Sequence, residues 1–64
     1  MTTDNEQGYI VEFVTIGRSV KVTVIDPVSL KEVSMMGARG VSKDELIRLA
    51  VRKMHYVIER DKDS

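Results

Sequence analysis

Two runs of β-branched residues flank the dipeptide Gly17-Arg18, and this arrangement constrains the fold more than any other feature of the chain. Tyr9-Ile10-Val11-Glu12-Phe13-Val14-Thr15-Ile16 has the composition of a strand, and Val20-Lys21-Val22-Thr23-Val24-Ile25-Asp26 alternates apolar and polar residues. Glycine at the first central position of a two-residue loop is what a type II′ hairpin turn requires. Such a loop sets Thr15 opposite Val20, Phe13 opposite Val22 and Val11 opposite Val24. Together with Tyr9 these residues then form one apolar face. A three-residue loop would pair Phe13 with Thr23, and a one-residue slip of this kind moves every side chain to the other face. A loop of two residues, or of four with the same parity, is therefore expected.

The segment Asp26-Pro27-Val28-Ser29-Leu30-Lys31 reads as the next turn. The Asp26 carboxylate can accept hydrogen bonds from backbone amides ahead of it, and Pro27 pre-sets φ. Glu32-Val33-Ser34-Met35-Met36 follows as a third strand, with Val24 opposite Val33 and Val22 opposite Met35. Gly37-Ala38-Arg39-Gly40 reads as a flexible connector. Ser42-Lys43-Asp44-Glu45 has the spacing of a capping box, in which Ser42 accepts from the Glu45 amide and Glu45 reaches back. Val41 and Leu46 fit a hydrophobic staple around it, and Asp44 and Glu45 suit the positive end of the helix dipole. At about 100° per residue, Leu46, Ile47, Ala50, Val51, Met54, Val57 and Ile58 gather within about 140° of the helix surface. That is the stripe of a helix lying on a sheet.

The expected fold class is α+β: a three-stranded antiparallel meander (about 9–16, 20–26, 32–36) with one C-terminal helix (about 43–60) on one face. Residues 8–60 form the single domain, 1–7 a disordered N-terminal tail and 61–64 a frayed C-terminus. At 64 residues the core is small, and folding buries only about 60% of the unfolded surface. The chain has no Cys, so disulfides and thiolate metal sites are excluded, and its single His is too little for a structural zinc. No metal and no cofactor are expected. Ten basic and ten acidic residues cancel, which removes the composition argument for nucleic acid or anionic lipid. The polar start is unlike a signal peptide and no apolar run is long enough to span a membrane. A cytoplasmic protein is expected.

One helix covers one face of a three-stranded sheet, and the other face is not polar. It carries Ile10, Glu12, Val14, Ile16, Lys21, Thr23, Ile25, Glu32, Ser34 and Met36, and half of these are apolar. Ile10, Val14, Ile16 and Ile25, with Met36 at the border, are expected to form a contiguous interaction patch. Leu49 and Tyr56, seven residues apart, fall together outside the main helical stripe and form a secondary patch. Met35 and Met54 are read as core. His55 reads as a solvated surface side chain, because no partner for catalysis is arranged around it. Asp26 reads as a turn former. The glycine-containing connector lacks the Lys-Ser/Thr of a phosphate loop, and the helix cap uses the amides it would offer.

The stretches Val11–Val22, Ile25-Asp26-Pro27, Glu32-Val33-Ser34 and Leu49–Val57 resemble a family of short bacterial proteins, mostly alphaproteobacterial, grouped as a domain of unknown function. The resemblance covers the chain from about Gly8 to Arg60. It implies a β-β-β-α domain and brings no activity, ligand or catalytic residue. In that family the turn after Asp-Pro usually ends in Gly, where this chain has Leu30. The meander with its basic helix is also similar to the C-terminal part of a double-stranded-RNA-binding domain, though the leading helix and the lysine cluster are missing. The functional expectation is a non-catalytic interaction module that uses the outer sheet face, as a homodimer or on another protein. The alternative is nucleic-acid binding through Arg39, Lys43, Arg48 and Arg52 on the basic helical half.

Overall fold

The computed structural model describes residues 2–4 and 8–62. Gly17 adopts the positive φ, 60°, that the tight hairpin needs. It thereby joins β2 (Ile10–Ile16) to β3 (Ser19–Ile25) through a two-residue loop. The pairing is the one the alternation demands: Val11 with Val24, Phe13 with Val22, Thr15 with Val20. A second turn leads to β4 (Glu32–Ala38), antiparallel to β3 with Val24 opposite Val33 and Val22 opposite Met35. The helix α1 (Lys43–Lys62) closes the domain. The three-stranded antiparallel meander with one C-terminal helix is an α+β fold, as the sequence pattern predicts.

Four features differ from the sequence expectation. The first concerns the N-terminal tail. Thr2–Asp4 forms β1, an edge strand antiparallel to β2 with Thr3 opposite Val11, so the sheet has four strands in the order β1-β2-β3-β4. An unpaired edge of β2 presents amides and carbonyls that a nearby extended segment can satisfy. The rest of the expected tail, Met1 and residues 5–7, lies outside the described residues, as does the end of the chain from residue 63. Second, the expected connector is half strand: Gly37 and Ala38 continue β4, opposite Val20 and Ser19. Third, the helix runs two residues past Arg60, where the Asp61 carboxylate pairs with the Lys31 ammonium below the sheet turn. Fourth, only half of the capping box forms. The Glu45 amide donates to Ser42 Oγ at 3.2 Å, whereas the Glu45 carboxylate turns to Arg48 Nη2 at 3.4 Å.

The core lies between α1 and the inner face of the sheet. Tyr9, Val11, Val22, Val24, Val33, Leu46, Ala50, Val51 and Met54 are buried, with Phe13, Val20, Met35, Ile47, Val57 and Ile58 packed around them. Full burial of a Val or Met side chain contributes about 1.5–3 kcal/mol. No polar side chain is buried among the described residues, so the core stabilises by apolar burial. The helix packs on β3 and β4, and Lys53 Nζ donates to the Ser34 carbonyl of the edge strand β4 at 2.9 Å. That bond fastens helix to sheet and also blunts an edge that could otherwise accept another strand.

The turn between β3 and β4 behaves as its Asp-Pro predicts. Asp26 Oδ1 accepts from the Val28 amide at 2.9 Å, and the Leu30 amide donates to the Asp26 carbonyl at 2.8 Å. The amide bond from Val28, with a smaller contribution from Ser29, holds the Asp26 carboxyl below the usual carboxylate value. Leu30 closes the turn in the left-handed region, at φ 64°. A leucine there is strained, and a glycine would not be.

Candidate interaction surface

Because cross-strand partners share a face, the pairing of β2, β3 and β4 lays out the outer surface as four rows. The first row, at the hairpin tip, is Ile16, Ser19 and Ala38, and the second is Val14, Lys21 and Met36. The third is Glu12, Thr23 and Ser34, and the fourth is Ile10, Ile25 and Glu32. All five residues expected to form the patch therefore lie on this face. Val14, Ile16 and Met36 are each 53% exposed, whereas Ile10 and Ile25 are half-buried by their neighbours.

The patch is not contiguous, which corrects the sequence expectation. Thr23 Oγ1 and Ser34 Oγ lie 2.9 Å apart and hydrogen-bond to each other. With Glu12 they make a polar row between the Ile10–Ile25 pair and the Val14, Ile16, Met36 group. Lys21 stands within the second group. Neither Lys21 nor Glu12 takes part in an ion pair among the described residues. The register expected from the hairpin already sets them one row apart on adjacent strands, and the structure has them so. Ala38 was missed altogether, because the alternation of β4 fades at Gly37 and the strand runs on through it. Pairing through the edge of β2 is also restricted, since Ile10, Val11 and Glu12 are already paired with β1.

The secondary patch does not hold together as an apolar surface. Leu49 is half-buried, while Tyr56 is 67% exposed and carries the Arg60 guanidinium 5.9 Å from its ring centroid. The basic residues are scattered as well. Arg39 lies in the turn after β4, where its amide donates to the Arg18 carbonyl at 3.2 Å. Lys43 Nζ sits 5.3 Å from the Phe13 ring centroid, and Arg48 is engaged by Glu45. On the helix surface Lys43 and Arg48 diverge by about 140°, so they cannot track one phosphate backbone together. Arg52 is exposed one turn beyond Arg48.

His55 is exposed, and its ring meets Tyr9 edge-on at 5.9 Å between centroids. Tyr9 is buried at the start of β2; desolvation, aided by the Asp26 charge, raises its phenol above the ordinary value. Among the described residues no helix is long and apolar enough to cross a membrane.

No curated protein and no solved structure matches this chain. One family does, over residues 6–61, and it is described as Domain of unknown function (DUF6898). The match spans β2, β3, β4 and nearly all of α1, so the whole β-β-β-α unit is what the family shares. The chain belongs to the DUF6898 family.

Proposed function

We propose that the domain is a non-catalytic protein-interaction module acting through the outer face of its sheet. One observation carries this reading: Val14, Ile16 and Met36, large apolar side chains on the face opposite the helix, are each 53% exposed while the other face of the same sheet is a closed core. Grouped exposed apolar residues of this kind mark contact surfaces, whereas isolated ones do not. A photo-activatable residue at position 14, introduced in cells that natively make the protein, should yield a covalent adduct. The same residue at position 52, on the far side of the helix, should yield none. Adducts from position 52 alone, or from neither position, would refute the reading.

Nucleic-acid binding through Arg39, Lys43, Arg48 and Arg52 has less support. Two of the four are already occupied within the fold, and Lys43 diverges on the helix from Arg48 and Arg52. A sub-micromolar complex whose affinity falls steeply with salt would reverse this ranking.

A further inference from the structure

Resting on that reading, we propose that the occupant of the outer sheet face is the same face of a second copy. The two-fold axis would run across the strands, between the row of Lys21 and the row of Thr23. Charge placement selects this arrangement. Along β2, β3 and β4 the face holds one cation, Lys21, and two carboxylates, Glu12 near its centre and Glu32 at the Ile10 end; neither Lys21 nor Glu12 is in an ion pair among the described residues. Within one sheet they are diagonal neighbours, about 7–8 Å apart at the backbone. An axis across the strands inverts the row order of the second copy. The Val14, Lys21, Met36 row then lies over the Glu12, Thr23, Ser34 row, and the reverse.

In that register Lys21 stands over Thr23 of the second copy, one strand spacing of about 4.8 Å from its Glu12. Sheets packed face to face are about 10 Å apart, and a lysine side chain spans the remaining gap. The symmetry makes two such pairs. It also lays Ile16 over Ile10 of the second copy, twice, while Val14 comes over Glu12, Met36 over Ser34 and Ile25 over Ser19. An axis along the strands through β3 would instead set Lys21 against Lys21, placing like charges in the centre of the contact. The polar row can be covered in the favoured arrangement, because Thr23 and Ser34 already bond to each other at 2.9 Å.

The size of the face argues for a weak dimer. Three seven-residue strands present a surface about 14 Å by 24 Å. Two such faces would bury on the order of 700 Å², below the usual range of stable specific interfaces, as a weak contact does. Two identical faces form an isologous contact that closes at two copies and does not propagate.

The test is a charge exchange in the purified full chain. Sedimentation equilibrium from micromolar to millimolar concentration should show the wild type passing from monomer to dimer. Lys21→Glu and Glu12→Lys should each weaken association by roughly tenfold or more, through like-charge contacts at both symmetric positions. The double exchange, Glu12→Lys with Lys21→Glu, should restore association to near wild type. Both positions are exposed, and circular dichroism with urea melts confirms that each variant folds. A wild type that stays monomeric throughout, or a double variant as weak as the singles, overturns the proposal. The adduct from position 14 separates the two readings. A mass other than twice the chain removes the second copy while leaving the interaction surface, and no adduct removes both.

Discussion

Replacing Gly37 by Ala tests how closely the helix start approaches the sheet. Gly37 lies on the inner face of β4 opposite Val20, and a Cβ built there would stand 2.4 Å from Leu46 Cδ2 and 3.5 Å from Leu46 Cγ. Ordinary carbon contacts begin near 3.4 Å, so one of the two must move by about 1 Å. Leu46 is only 2% exposed, in the first turn of α1, and its side chain cannot swing out to solvent. Overpacking of this kind costs about 1–3 kcal/mol, and the better strand behaviour of Ala over Gly returns about 0.5–1 kcal/mol. The net loss is about 0.5–2 kcal/mol, against a total of about 3–10 kcal/mol for a chain of this length. In urea, with a slope of about 1 kcal/mol per molar, the midpoint should fall by about 0.5–2 M. Gly40→Ala is the control, since nothing stands within 4 Å of a Cβ there. Leu46→Ala costs about 2–5 kcal/mol by itself, yet on that background Gly37→Ala should be neutral or stabilising. A Gly37→Ala midpoint equal to or above wild type, or an equal penalty in both backgrounds, would refute the close approach as the reason for glycine.

Leu30 gives a prediction of opposite sign. It is 77% exposed at φ 64°, so Leu30→Gly gives up little packing and relieves about 1–2 kcal/mol of left-handed strain. After the added freedom of the unfolded chain, about 0.5–1 kcal/mol of stabilisation should remain, and a lowered melting midpoint would contradict the strain. Acid should weaken the fold through Asp26 and Asp61. Amide bonds lower the pKa of the first and the Lys31 ammonium that of the second, both from an ordinary value of 3.8. Depressed folded-state values mean that this stability is present above 3.8 and is lost as pH falls through the folded values. Urea midpoints of the wild type should therefore decline below that pH, and a double Asp26→Asn, Asp61→Asn variant should decline less; parallel curves would show that other carboxylates govern the acid transition.

Much of this fold could be read locally, because its determinants act over a few residues. Gly17 supplies the positive φ of the hairpin, and the period-two alternation around it leaves one register that buries the valines. Asp26-Pro27 makes its own turn, and Ser42 caps the helix through an amide three residues away. The stripe from Leu46 to Ile58 then has one apolar surface to cover. Each of these features is a relation between near neighbours, and each is found in the structure as the residues imply. The strain at Leu30 belongs to the same class. It follows from one backbone angle, and the resemblance already marked that position as one where glycine is usual.

What the tertiary structure alone decided are matters of which distant groups come within reach of one another. Thr2–Asp4 carries no apolar residue to mark it as a strand, and it becomes β1 because the paired sheet leaves an unsatisfied edge beside it. Gly37 looks like a connector in isolation, yet it is held in β4 because Leu46 of the incoming helix fills the space above it. Glu45 could have bonded back to the cap, but Arg48, one turn on, holds its carboxylate. Asp61 stays helical because Lys31, thirty positions earlier in sequence, lies next to it. The outer face shows the same division. Alternation placed Ile10, Val14, Ile16, Ile25 and Met36 on one side of the sheet. The expected register already runs the row of Glu12, Thr23 and Ser34 between them, and the assembled sheet ties that row with the hydrogen bond from Thr23 to Ser34. Side-chain direction and register follow from alternation and loop length, whereas the bond between Thr23 and Ser34 and the degree to which each apolar side chain stays exposed exist only once the sheet is assembled.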